Sequence, residues 1–586
     1  MLFMALLALC AFLPLVSTVT VSARYGKIEG FISRYPNISA RFNSVNKFLG
    51  VPFASPPVGK LRLKPPQPPK EWKPRVRQAK EHGALCMQGK GLEFLTKLFA
   101  KNFSYSEDCL YLDIYTPNVT LNLPVMVWIH GGGYDSGTSV TFPGDILSLQ
   151  GVVVVVIQYR LGAFGFFTTG DSAALGNFGM LDQVEALKWV KENIDNFGGD
   201  PGKVTLFGES AGGLSVSLHL LSPLSKDLFH GVIAESGVDL APFAIQQPSI
   251  GVRNSKEVAE KVKCPSSDHK AMVGCLQEKK AADIQKASDA VNFRFIDQPK
   301  WAPVVDKHFL HDTPRNLRKK KDFKIAPIMI TFNSDEAAGT LGLMAKLSFG
   351  LTESVDNGVS PTFFKTFLTK LASARIKEAK TADLITDALE FMYTPWPDSS
   401  NVYALRSQLV NVLSDLMFFA PSHEVAAIQS QVSPVYMFEF AHHSKVSFGS
   451  EWMGVVHANN IMYDFGVPLL PNSPFNYDAA DRNVSLFIMA LYANFAGTGD
   501  PTPQPVSGVT LEKFNSSHRT YLKVQVSPKM AASFYPRRMS FWNDYYPKLE
   551  QVKFDDEKKH SSGASVGVSL GLFVFIITVL INYPVL

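Results

Sequence analysis

Lys203-Val204-Thr205-Leu206-Phe207-Gly208-Glu209-Ser210-Ala211-Gly212-Gly213 is the stretch on which the reading of the fold turns. An apolar, β-prone run, Val204 to Phe207, leads into Gly-x-Ser-x-Gly. A helix-permissive apolar stretch, Leu214 to Leu221, follows it. A serine set between a strand and a helix is the pattern of a strained turn that projects a nucleophilic hydroxyl. The flanking glycines have no Cβ, so the chain can turn sharply beneath the serine.

The neighbouring segments extend the pattern. Pro124 to His130 is an apolar strand that runs into Gly131-Gly132-Gly133. Gly151 to Ile157 is β-branched and apolar on both faces, as a covered central parallel strand requires. Asp182 to Phe197 has helical spacing in Val184, Leu187, Val190 and Ile194, and stops at Gly198-Gly199. Arg24–Phe31, Gly231–Ser236, Ile325–Ile330 and Pro434–Phe440 read as further strands, and 340–430 as largely helical. Phe48 to Gly59 is rich in Pro and Gly and reads as an extended surface segment. Strands alternating with helices predict an α/β class with a large, mostly parallel central sheet flanked by helices. No repeat or low-complexity linker divides the chain, so one large domain is expected.

Hydrophobic residues make up 46% of the 586 residues, enough for a real core, which excludes a disordered chain. A net charge of +5 over this length gives no case for nucleic acid as a partner. The densest basic run, Arg315 to Lys321, reads as a solvated face or loop.

Several features predict export. Leu2 to Leu15 is almost wholly apolar, and Val21-Ser22-Ala23 offers small residues for cleavage, so 1–23 reads as a signal peptide and 24–555 as the folded domain. Four cysteines remain: Cys86, Cys109, Cys264 and Cys275. Four allow three pairings; nearest neighbours, 86 with 109 and 264 with 275, are preferred. Asn37, Asn102, Asn118, Asn483 and Asn515 sit in glycosylation sequons. Residues 556–586 read as a polar spacer followed by 21 uncharged residues, Val566 to Leu586. Small residues at 561–565 before that tail favour a glycosylphosphatidylinositol signal over a retained membrane span. The expected place is the extracellular face of the cell membrane, attached through the C-terminus.

Serine is a poor nucleophile and needs a histidine base, itself oriented by a carboxylate. In the chain order serine, acid, histidine, the acid follows a strand. Asp335 and Glu336 stand just after Ile325–Ile330, and His457 ends Met453-Gly-Val-Val. His442-His443 has no accompanying ligand cluster, and His219 lies in an apolar helical run. The pair reads as surface or core histidines and His219 as a packed one, with no metal and no cofactor.

These segments, with Phe48 to Arg62, Ser106-Glu-Asp-Cys-Leu-Tyr-Leu112, Tyr159-Arg-Leu-Gly162, Gly176 to Gln183, Asn196-Phe-Gly-Gly-Asp-Pro201 and Phe541-Trp542, resemble the type-B carboxylesterase and cholinesterase family over nearly the whole chain. The resemblance implies an α/β-hydrolase fold and a serine esterase. It implies Ser210 as nucleophile, His457 as base and Glu336 as acid, with Asp335 in reserve. The oxyanion hole would be the amides of Gly132, Gly133 and Ala211, glycine keeping the acyl position open. Ser236 would support the acid. Arg62 with Glu107 and Arg160 with Asp182 would be internal ion pairs, and both disulfides fit. The family's third disulfide should be missing, because Met539 replaces a cysteine. Asn459 and Asn460 depart from the pattern and would remove two charges beside His457. The 86–109 loop carries no tryptophan, and aliphatic residues follow Glu336. Acetylcholine is therefore disfavoured against small-molecule or lipid esters with apolar parts. Some family members have lost the serine and act in cell-surface adhesion. That alternative is opposed here by the presence of all three triad residues. Oligomeric state is left open.

Overall fold

The computed structural model describes residues 17–291, 299–446 and 449–554. Thirteen strands form one sheet: β1 (Thr18–Ala23), β2 (Gly26–Arg34), β3 (Ser44–Pro52), β4 (Val76–Gln78), β5 (Tyr111–Thr116), β6 (Leu123–Ile129), β7 (Val153–Ile157), β8 (Gly199–Glu209), β9 (Gly231–Glu235), β10 (Ile328–Asn333), β11 (Val435–Phe440), β12 (Tyr521–Val524) and β13 (Lys529–Ala531). Their spatial order is β1-β2-β3-β5-β7-β6-β8-β9-β10-β11-β12-β13, with β4 on β2. From β7 through β12 every neighbouring pair is parallel, as the α/β reading expects.

Both faces of this parallel part are covered. In β7, Val153, Val155 and Ile157 pack into one apolar cluster, and Val154 and Val156 into a second. Side chains alternate across a strand, so a continuous β-branched run is what two covers demand. The covers include helices α2 (Phe178–Asn193), α3 (Ala211–His219) and α4 (Ala479–Thr498). A short helix α1 (Glu93–Phe99) lies within the loop closed by the Cys86–Cys109 disulfide, and Cys264 is joined to Cys275 as expected.

The expected boundary between Ala23 and Arg24 falls inside the first hairpin: β1 pairs antiparallel with β2, and Ala23 stands opposite Gly26. Two other expectations are corrected. The segment from Phe48 is no surface strip: Phe48 and Val51 lie in β3, and with Phe53 they are wholly buried. Glycine at 50, with φ of 66°, sits at the shift of register between β3 and β5 instead of breaking the strand. The basic run is only partly solvated. It forms helix Pro314–Lys320, from which Arg318 turns inward to Asp239, Gln429 and the Phe323 ring.

Both expected ion pairs are formed and both are interior. Arg62 holds Glu107 through two hydrogen bonds of 2.6 Å, and Arg160 holds Asp182 through two of 2.7 Å. Asp182→Ala would leave the Arg160 guanidinium buried without its counter-charge. The expected loss is about 3–5 kcal/mol, read as an earlier urea midpoint; an unchanged midpoint would show the pair to be idle. Met539 is fully buried where a cysteine was expected to be absent.

One compact unit spans the chain to Glu550, and residues from Gln551 onward form a second. Among the described residues no helix is long and apolar enough to cross a membrane. The apolar leader through residue 16 and the expected tail at 556–586 lie outside those residues. Four of the sequon asparagines, Asn37, Asn102, Asn483 and Asn515, are exposed. Asn118 is half-buried, and its Oδ1 accepts from Thr120 N and Oγ1, each at 2.8 Å.

Candidate active site

Ser210 caps the N-terminus of α3 at the end of β8, with φ of 57° and ψ of −122°. A non-glycine residue at positive φ is costly and persists only where its surroundings hold it. Those surroundings are tight. A Cβ at Gly212 would meet the Ile129 carbonyl oxygen at 1.9 Å, and one at Gly208 would meet the same oxygen at 2.5 Å. The Ser210 amide donates to the Glu235 carbonyl at 2.9 Å, tying the turn to β9.

Glu336 and His457 come together as expected. Glu336 follows β10 and is fully buried. Its Oε2 meets His457 Nδ1 at 2.6 Å. Its Oε1 accepts from Ser236 Oγ at 2.5 Å and from the Asn333 amide at 2.8 Å. The carboxylate is thus held on both oxygens, which fixes the face that it presents to the imidazole. Ser236 takes φ of 48° to reach it. Asp335, the reserve acid, faces elsewhere: its Oδ2 accepts from Ser334 Oγ and Val455 N. Phe418 packs on the His457 ring at 5.0 Å between centroids, from a π-helical turn, Asp415–Phe419, that interrupts an otherwise α-helical run.

The other side of His457 was not anticipated. Nε2 lies 3.0 Å from Glu209 Oε1, an oxygen without a hydrogen-bond partner among the described residues. No hydrogen bond joins Nε2 to Ser210 Oγ among those residues. Burial alone would lower the His457 pKa, but the carboxylates of Glu209 and Glu336 raise it to about 9. Burial likewise lifts Glu209 to about 7, against the pull of His457. An imidazole that stays protonated cannot accept a proton, so Glu209 would oppose any action of His457 as a base. Replacing Glu209 by Gln removes one of the two anions that stabilise the imidazolium. The acid limb of kcat/KM against pH is then expected to move to lower pH, measured with a neutral ester. A limb that stays put or moves up would contradict this.

The amides of Gly132, Gly133 and Ala211 donate to no carbonyl among the described residues. Ala211 is the first residue of α3, where an N–H has no partner within the helix. The reason for glycine differs from the expectation at one position. A Cβ at Gly132 would strike the Ser136 carbonyl at 2.2 Å, so glycine there serves the loop's own closure. At Gly133 the space is open, and φ of 64° favours glycine.

A cavity of about 380 Å³ opens beside Ser210, His457, Gly131 and Gly132. Phe94 and Leu95 of α1, Phe142, Phe440, Ile461 and Met462 supply much of its apolar wall. Asn459 lines it, but Asn460 does not. Asn460 is buried, and its Nδ2 donates to Glu235 Oε2 at 2.7 Å and to Asp464 Oδ2 at 2.8 Å. The expectation that Asn460 removes a charge beside the histidine is therefore corrected. Its amide joins two buried carboxyl groups, one of which, Asp464, stands four residues on. Burial raises both, Glu235 to about 7 and Asp464 well above its usual range. Sequence offered one signal for this: positions 460 and 464 share a helical face.

Of the histidines set aside above, His219 and His442 are buried and His443 is exposed. His219 bonds Ser225 Oγ and Gln183 Oε1, each at 3.0 Å, and burial lowers it to about 3. His442 Nε2 meets Asp481 Oδ1 at 2.8 Å. Among the described residues no group of three or more His, Cys, Asp or Glu could hold a metal ion.

Residues 17–542 match the model of the carboxylesterase family. The chain is 37% identical to the rat pyrethroid hydrolase Ces2e over 539 residues, covering 90% of each. It is 36% identical to the mouse acylcarnitine hydrolase, covering 91% of this chain and 92% of that one. It is also 33% identical to mouse neuroligin-2, covering 91% of this chain and 68% of that one. With its sheet, its serine turn and this similarity along nearly its full length, the chain belongs to the carboxylesterase family, and its activity class is carboxylic ester hydrolysis.

Proposed function

We propose that the protein hydrolyses neutral carboxylic esters through an acyl-enzyme on Ser210. His457 takes the Ser210 proton as Oγ attacks the carbonyl carbon, and returns it to the leaving alcohol. A water then repeats the cycle and frees the acid. Glu336 holds the imidazole by Nδ1 and stabilises its charged form. The amides of Gly132, Gly133 and Ala211 receive the negative oxygen, each such donor being worth about 3 kcal/mol. The observation that carries this reading is the Glu336–His457 contact of 2.6 Å at a cavity that Ser210, Gly132 and His457 line together. Before attack, Nε2 must pass from Glu209 to Ser210. The largely apolar cavity wall favours esters with apolar acyl or alcohol parts. We place the enzyme in the secretory pathway, glycosylated at exposed sequons and attached to the outer membrane face by a C-terminal lipid anchor.

The test is hydrolysis of nitrophenyl esters of graded acyl length by the purified ectodomain. Turnover that varies with acyl length supports the reading. Absence of turnover with every ester would transfer the chain to the adhesion reading, which the similarity to neuroligin-2 keeps in view.

A further inference from the structure

The ester cavity touches a second polar group that the proposed chemistry does not use. His442, Ser444, Tyr463 and Tyr477 line it together with the catalytic residues. None of these four hydrogen-bonds to Ser210, Glu336 or His457 among the described residues. Behind them lies Asp481, almost fully buried in the first turn of α4.

Asp481 is a collector of donors. Its Oδ1 accepts from His442 Nε2 and from the Tyr463 hydroxyl, both at 2.8 Å, and its Oδ2 from the Asp478 amide at 3.0 Å. The Ser444 hydroxyl, which accepts from the Val446 amide at 3.1 Å, lines the same cavity. With its oxygens committed as acceptors, Asp481 is a carboxylate, so His442 must carry its hydrogen on Nε2. That leaves Nδ1, which has no hydrogen-bond partner among the described residues. His219, by contrast, has both ring nitrogens satisfied within the protein. His442 therefore presents an oriented ring with one unused polar atom to a cavity whose wall is otherwise largely apolar.

We propose that His442, held by Asp481 and flanked by Ser444, is a polar subsite of the ester cavity that receives a hydroxyl group carried on an apolar part of the substrate. This rests on the esterase reading of the cavity. A hydroxyl suits the site because it both donates and accepts. It can give its hydrogen to a neutral Nδ1, or accept from a protonated one, and Ser444 can serve its other lone pair or hydrogen. A wholly apolar group would leave Nδ1 unpaired, and an unpaired polar atom is what makes a site reject the analogue lacking its partner. A fixed charge fits less well, because the imidazole is already offset by the Asp481 carboxylate. The preferred class is thus an ester of a lipid-like diol, or of a hydroxylated fatty acid.

The experiment compares pairs of esters that differ only in a terminal hydroxyl. One arm uses hexanoate monoesters of α,ω-diols of four to ten carbons against the matching alkyl hexanoates, which places the hydroxyl on the alcohol. The other uses nitrophenyl esters of ω-hydroxy acids against the unsubstituted acids, which places it on the acyl chain. The readout is the ratio of kcat/KM for hydroxylated over plain ester, taken within each enzyme. For the native enzyme the ratio should peak at one chain length in one arm. His442→Phe should lower that peak at least tenfold, mostly through KM, and His442→Gln should restore part of it. Ser444→Ala should lower it about threefold, and it carries the test should His442→Phe fail to fold. A ratio that shows no peak, or that is the same in native and variant enzymes, overturns the subsite while leaving the esterase reading intact. Absence of hydrolysis of both members of every pair by the native enzyme overturns the esterase reading, and the subsite with it.

Discussion

Ser210→Ala is expected to reduce kcat for a nitrophenyl ester by about 10⁶, the scale of loss when a triad nucleophile is removed. The size follows from the arrangement. Ser210 is held at φ of 57° by the β8 to α3 turn, with its amide on the Glu235 carbonyl. No other hydroxyl shares that position, so water would have to attack unaided by a covalent intermediate. Folding should be little altered, because alanine removes one oxygen that makes no hydrogen bond among the described residues. Steady-state kinetics with a burst phase in the native enzyme, and none in the variant, is the direct check. A variant that keeps a tenth of native kcat would show that hydrolysis proceeds elsewhere.

Glu336→Gln is expected to lower kcat by about 10⁴ with little change in KM. The carboxylate accepts His457 Nδ1–H at 2.6 Å while its second oxygen is saturated by Ser236 Oγ and the Asn333 amide. An amide in its place keeps the shape and loses the charge. With the Gln carbonyl held by Ser236 and Asn333, its NH₂ would donate to Nδ1, which leaves the imidazole hydrogen on Nε2, so that Nε2 cannot accept the Ser210 proton. The loss therefore falls on proton transfer and not on substrate binding. Equal losses in kcat and kcat/KM would support this, whereas a rise in KM at constant kcat would assign Glu336 to binding.

What could be read from the sequence was local. Val204 to Phe207 followed by Gly-x-Ser-x-Gly specifies a strand, a turn and a helix between Val204 and His219. Val153 to Ile157 announces its two covers by lacking any polar residue. The order of Ser210, Glu336 and His457 needs only position along the chain. What could not be read depends on partners far away in sequence. Thr18–Ala23 resembles a cleavage region by its small residues, yet it pairs with Gly26–Phe31. Arg318 sits in a basic run, but Asp239 draws it inside. Asn460 looked like a lost charge beside His457, because its role depends on Glu235, 225 residues away. Glu209 stood in the serine motif in plain view. Its closeness to Nε2 follows from how the loop before His457 approaches β8, and that is a matter of tertiary packing.

The most direct measurement of the central claim is the site of covalent capture by an organophosphate ester. One adduct per molecule is expected, located by peptide mass on the segment containing Ser210, appearing in step with loss of ester hydrolysis and absent from Ser210→Ala. Hydrolysis that persists after labelling, or an adduct mapped to any other residue, would contradict it.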